Sequence, residues 1–134
     1  MHVFVYGTLL PGEVRWAFLE PFVSGPGLDD HVRGTLYDTG VGYPAFRAGV
    51  ARAGVAKVGV DDDGVGRDVI GMTFTLRAEL AREALETLDA VEGAVDGLYR
   101  RIRVRTGRGI TAWVYEYGGG LDLVPIPGGS WRRR

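Results

Sequence analysis

Two places in this sequence hold residue types that could do chemistry. The first is Val3-Phe-Val-Tyr-Gly-Thr-Leu-Leu-Pro-Gly12, where a short apolar run stops at Gly7 and gives way to turn residues. A buried strand that opens into such a loop leaves backbone N–H groups with no ladder to join, and clustered N–H donors bind anions. The same pattern also describes an ordinary turn after a strand. It is not a nucleotide-binding loop: no Gly-Lys-Ser/Thr follows, and the glycines do not form G-x-G-x-x-G.

The second place is Glu92. Residues 77–91 repeat apolar side chains at helical spacing, and at about 100° per residue Leu80, Ala81, Ala84, Leu85, Leu88 and Val91 cover an arc of roughly 140°. Glu79, Glu83, Glu86 and Asp89 fall outside that arc, and Glu92 falls inside it. Gly93 is expected to end the helix, as glycine commonly does. Burial and a helix C-terminus would both push the Glu92 carboxyl above the usual value of about 4.3. A carboxyl tuned upward can take and return a proton near neutral pH, as a general acid/base must. A frayed terminal Glu turned to solvent is the alternative.

The rest of the inventory narrows the chemistry. Cysteine is absent, which excludes disulfides, thiolate metal sites and a Cys nucleophile. His2 and His31 are the only histidines, too few for a multi-histidine metal site and a poor basis for a His triad. No metal and no cofactor are expected. Sixteen basic and seventeen acidic side chains give a net charge of −1, which offers no overall field for nucleic acid or an anionic membrane. The N-terminus has no basic segment leading into an apolar region, and no run of about 18 apolar residues occurs. The expectation is a soluble cytoplasmic protein with neither a nucleic-acid nor a membrane partner.

The elements that must position these residues follow from periodicity and turn signals. At 134 residues the chain fits one domain spanning 1–134. Its 22 glycines imply many turns. Residues 13–19 could form a short helix with Val14, Ala17 and Phe18 on its apolar side, ended by Pro21. Strands are expected at 33–37, 43–46, 50–60 (bent at Gly54 and Gly59), 69–76, 99–105 and 110–117, the last two joined as a hairpin through Thr106-Gly-Arg-Gly109. In 69–76, Ile70, Met72, Phe74 and Leu76 share one face and Gly71, Thr73 and Thr75 the other. Arg101, Arg103 and Arg105 share one face of their strand, which reads as solvated. Asp61-Asp-Asp-Gly-Val-Gly-Arg67 reads as a surface loop; it lacks the Glu that an EF-hand needs at its twelfth position, where Met72 stands. The tail is rich in Gly and Pro, and its three terminal arginines are too few to imply a partner. About six strands with one convincing helix give an α+β domain on a mixed sheet, closed into a small barrel with one or two flanking helices.

With both landmarks placed, the chain resembles the γ-glutamylcyclotransferase-like family. The resemblance rests on Phe-Val-Tyr-Gly-Thr-Leu at 4–9, Gly-Thr-Leu-Tyr-Asp-Thr-Gly at 34–40, Tyr-Pro-Ala at 43–45, Leu-Asp-Ala-Val-Glu-Gly at 88–93, Tyr-Arg-Arg at 99–101 and Ala-Trp-Val-Tyr at 112–115, in that order across nearly the whole chain. Its length is closer to the compact bacterial and γ-glutamylamine branches than to the glutathione-pathway enzymes. The resemblance implies a small mixed β-barrel and an enzyme that cyclises a γ-glutamyl group to 5-oxoproline with release of an amine. It also implies that Tyr6, Gly7, Thr8 and Leu9 hold the glutamyl moiety, that Glu92 is the catalytic glutamate, and that Tyr99 and Tyr115 line the substrate pocket.

Such a reaction suits a chain without Cys, metal ligands or a His triad, because the substrate's own α-amine closes the ring on its γ-carbonyl. Glu92 is then the expected proton carrier, with Tyr99, Tyr115 or a loop N–H at the developing oxyanion. Two alternatives stand beside it: γ-glutamyl deacylation of a protected metabolite, and a non-catalytic module that binds a small metabolite.

Overall fold

The computed structural model describes residues 1–49, 68–96, 99–118 and 123–134. The strand expected at 50–60 and the loop at 61–67 lie outside the described residues. Along the chain run β1 (His2–Val5), α1 (Trp16–Leu19), a 3₁₀ turn (Glu20–Phe22), β2 (Leu28–Asp38), β3 (Pro44–Ala48), β4 (Asp68–Thr75), a second 3₁₀ turn (Ala78–Leu80), α2 (Ala81–Asp96), β5 (Tyr99–Arg105), β6 (Thr111–Tyr117) and β7 (Val124–Pro125).

Six strands form one path in the order β3-β2-β4-β1-β6-β5, with β7 added on β2. β1 runs antiparallel to β4 and parallel to β6, so the sheet is mixed, as expected. The sheet curls into a half-barrel accompanied by two helices. Side chains tie β3 to the hairpin of β5 and β6: the Ala48 N–H donates to Glu116 Oε2 at 3.0 Å, and the Tyr99 hydroxyl donates to the Pro44 carbonyl.

Strand alternation sorts the apolar residues into two cores, one on each face of the sheet. Val3 and Val5 of β1 join Phe74, Leu76 and the buried side of α2, including Ala84 and Leu88. Phe4 and Tyr6 point the other way, into the hollow of the half-barrel with Val32, Leu36, Phe46, Val69 and Val114. Trp131, from the tail, is buried in that same hollow.

Several sequence expectations are corrected. In β4 the side chains at 72, 74 and 76 do face the α2 side, but Ile70 is exposed, whereas Val69, Gly71 and Thr73 are buried. The strand lies between β1 and β2; its Val69, Gly71 and Thr73 side is buried, while its other side is covered only from Met72 onward, so alternation does not separate core from solvent along its whole length. In α1 the buried residue is Leu19, with Trp16 packed beside it, while Ala17, Phe18 and, just before the helix, Val14 face outward. α1 ends at Leu19, just before Pro21 as expected, and Pro21 sits in the first turn of the following 3₁₀ segment, where its missing N–H costs nothing. Arg101 is not a solvated side chain: it pairs with Asp89 at 2.8 Å and, with Arg103, stacks on Trp113. The tail is also anchored, since Arg132 donates to the Pro11 carbonyl and pairs with Glu13.

α2 extends beyond its expected end. Gly93 keeps helical geometry, without the positive φ of a glycine cap, and the helix continues to Asp96. Glu92 is therefore not the terminal residue, which weakens the dipole effect expected there.

Candidate active site

α2 and β1 converge on one cavity. The apolar stripe of α2 passes through Ala81, Ala84 and Leu88, all buried, and four residues after Leu88 the same stripe carries Glu92. Glu92 is only 8% exposed, so the frayed, solvent-facing alternative does not hold.

β1 delivers the loop. After Val5 the chain turns, with the Leu10 N–H donating to the Gly7 carbonyl at 3.0 Å and the Arg15 N–H to the Thr8 carbonyl at 2.8 Å. The carbonyls of the turn are thus engaged. The N–H groups of Gly7, Thr8 and Leu9 have no acceptor among the described residues, which is the arrangement that suits an anionic ligand. Gly7 has a packing reason as well: a β carbon there would stand 2.4 Å from Cγ of Pro44.

All seven residues singled out in the sequence, Tyr6, Gly7, Thr8, Leu9, Glu92, Tyr99 and Tyr115, line one cavity. Phe4, Val5, Arg15, Tyr43 and Pro44 complete its walls. The sequence did not point to Arg15, Tyr43 and Pro44 as site residues. Tyr43 and Pro44 stood in the sequence as a strand entry; Arg15 lay in a short helix whose orientation was misjudged, and only its place one turn after a glycine loop could have drawn attention to it.

The three tyrosines are held by groups that can only accept. The Tyr6 hydroxyl donates to the Tyr115 carbonyl at 2.7 Å, the Tyr99 hydroxyl to the Pro44 carbonyl, and the Tyr115 hydroxyl to Asp89 Oδ1 at 2.7 Å. A phenol has one proton to give, so each is committed. Burial pushes the Tyr6 hydroxyl far above its ordinary pKa, with the nearby Tyr99 and Glu92 charges adding to it. Burial likewise raises Tyr115, and its bond to Asp89 raises it further. Both are neutral donors at physiological pH. Asp89 also receives two hydrogen bonds from Arg101, at 2.8 and 3.1 Å. Burial pushes its carboxyl up, but the bonds from Arg101 and Tyr115 outweigh that and hold it below its usual value.

The fold recurs in solved structures. An uncharacterised protein of Pyrococcus horikoshii is 20% identical, with 99% of this chain and 91% of that chain covered and a TM-score of 0.69. An AIG2-like protein of Mus musculus is 15% identical over 94% of this chain and 85% of that one, with a TM-score of 0.60. The allophanate hydrolase of Kluyveromyces lactis, 15% identical, matches 98% of this chain with only 20% of its own length, at a TM-score of 0.65. A search of curated protein sequences finds no match. The family model described as gamma-glutamyl cyclotransferase, AIG2-like, matches residues 3–133. With that match spanning nearly its full length, the chain belongs to the γ-glutamyl cyclotransferase, AIG2-like family.

Proposed function

We propose that this chain converts a γ-glutamyl amine, amino acid or peptide to 5-oxoproline and the free amine, with Glu92 as general acid/base. The observation that supports this reading most is a buried carboxylate sharing one cavity with the unbonded N–H groups of Gly7, Thr8 and Leu9. A charged carboxylate on an apolar helix stripe is costly to keep, since burial disfavours its charge.

In this mechanism Glu92 takes a proton from the substrate's α-ammonium, and the freed amine attacks the γ-carbonyl carbon. A C–N bond forms and the carbonyl oxygen becomes an oxyanion. As the oxyanion collapses, the original amide C–N bond breaks and Glu92 returns its proton to the departing nitrogen. The second proton lost by the α-nitrogen reaches the released amine through solvent, so protons balance. Proximity supplies much of the rate, because nucleophile and electrophile belong to one bound molecule.

The tyrosine bonds narrow the choice of oxyanion partner. With the hydroxyls of Tyr6, Tyr99 and Tyr115 already donating to protein acceptors, the loop N–H groups are the free donors suited to the developing charge. Tyr99 and Tyr115 then act as walls that shape the cavity. Incubating the protein with a panel of γ-glutamyl compounds and assaying 5-oxoproline tests the reading: release from at least one compound is expected, and release from none would contradict it.

A further inference from the structure

We propose that Arg15 selects substrates whose released amine carries a carboxylate, so that γ-glutamyl amino acids or peptides are preferred to γ-glutamyl derivatives of neutral or cationic amines. This rests on the cyclotransferase reading above. Arg15 and Glu92 are the charged side chains lining the cavity among the described residues, and they differ in exposure: Glu92 is buried, whereas Arg15 is half-buried. The ion pairs among the described residues engage Arg100, Arg101, Arg132 and Arg134, and Arg15 has no carboxylate partner among them. Its Nη1 makes a long 3.4 Å contact to the Thr8 hydroxyl, leaving most of its five N–H donors available to a ligand.

The two carboxylates of a γ-glutamyl amino acid have different places to go. The α-carboxylate belongs to the glutamyl head, whose amine must reach Glu92, and those N–H groups of the Gly7–Leu9 loop that the oxyanion does not take suit it. The leaving amine points away from the buried end, toward the half-buried wall of Arg15, Thr8 and Tyr43. A carboxylate there meets a guanidinium fork that can bind it through two hydrogen bonds. An ammonium there meets a like charge, which acts against cationic amines.

The test compares γ-glutamylalanine, γ-glutamylethylamine and mono-γ-glutamyl ethylenediamine, which differ in the charge of the leaving amine, on wild type, Arg15→Gln and Arg15→Lys. The expected wild-type preference for γ-glutamylalanine is roughly ten- to hundredfold in kcat/KM, carried mainly by KM, as for a hydrogen-bonded charge pair. Arg15→Gln should lose activity on γ-glutamylalanine alone and bring the three substrates within about threefold of one another. Arg15→Lys, which keeps the charge without the fork, should retain part of the preference. A preference unchanged in Arg15→Gln would overturn the inference. So would an equal loss on all three substrates, which would place Arg15 on the glutamyl head or the oxyanion. Absence of 5-oxoproline from all three with wild type would instead remove the cyclotransferase reading, and the inference with it.

Discussion

The Tyr115 hydroxyl donates to Asp89 Oδ1 at 2.7 Å, joining the final hairpin to the outward side of α2. Asp89 in turn grips Arg101, the cross-strand partner of Tyr115. The bond turns the hydroxyl's proton toward Asp89, and in the proposed mechanism Tyr115 is accordingly a wall and not an oxyanion donor. Tyr115→Phe should therefore keep turnover within about tenfold of wild type, well short of the 10²–10³ that loss of an oxyanion donor costs. A loss of a hundredfold or more in steady-state 5-oxoproline release, from a folded variant, would put this hydroxyl on the reaction.

Gly7 is restricted by Pro44. Because a β carbon would stand 2.4 Å from Cγ and 2.9 Å from Cδ of a ring fixed on β3, Gly7→Ala must displace either the loop or the strand. Pro44 also accepts the Tyr99 hydroxyl, so the disturbance reaches a second wall of the cavity. The expected outcome is a stability loss of about 1–3 kcal/mol from overpacking, together with weaker substrate binding. Denaturant unfolding and KM measured side by side check this. An unchanged KM in a destabilised variant would show that the loop packs against Pro44 without serving the ligand.

Asp30 provides a stability test remote from the cavity. Burial pushes its carboxyl up, yet hydrogen bonds from Thr106, His31, Thr73 and Arg108 together hold it below the ordinary 3.8. Since the folded pKa lies below the unfolded one, the stability Asp30 contributes is complete above the unfolded pKa and is lost as pH falls through the folded pKa. Wild type should thus lose stability below pH 3.8 more steeply than Asp30→Asn. At pH 7 the variant should be weaker by about 1–3 kcal/mol, as buried donors lose a charged acceptor. Unfolding curves for both proteins between pH 2 and 7 give the comparison; parallel pH profiles would contradict it.

How far the sequence is legible depends on how local each signal is. The α2 stripe and Glu92 could be read because a helix repeats its face within one turn, and the loop at Gly7 because a strand ends abruptly at a glycine. Both proved to line one cavity. The end of α2 was misread because Gly93 can take helical φ as readily as a cap conformation. Asp30 gave no signal: its partners Thr73, Thr106 and Arg108 are remote in sequence and come together only once β2 has paired with β4 and the hairpin turn has folded over it. The commitment of the three tyrosine hydroxyls was invisible for the same reason, each bond spanning more than twenty residues of chain. The burial of Trp131 in the hollow of the half-barrel could not be read from its Gly- and Pro-rich surroundings, because the packing partners are remote in sequence.

The central claim is that Glu92 moves the proton. Glu92→Gln keeps the shape and burial of the side chain and removes its ability to accept one, so substitution separates chemistry from packing. The most direct measurement is the rate of 5-oxoproline formation by Glu92→Gln against wild type, at saturating substrate, with folding verified by thermal unfolding. A fall of about 10²–10⁴-fold is predicted, the usual span for a lost general acid/base, with the variant still folded and still binding substrate. Turnover near the wild-type rate would contradict the account and remove Glu92 from the mechanism.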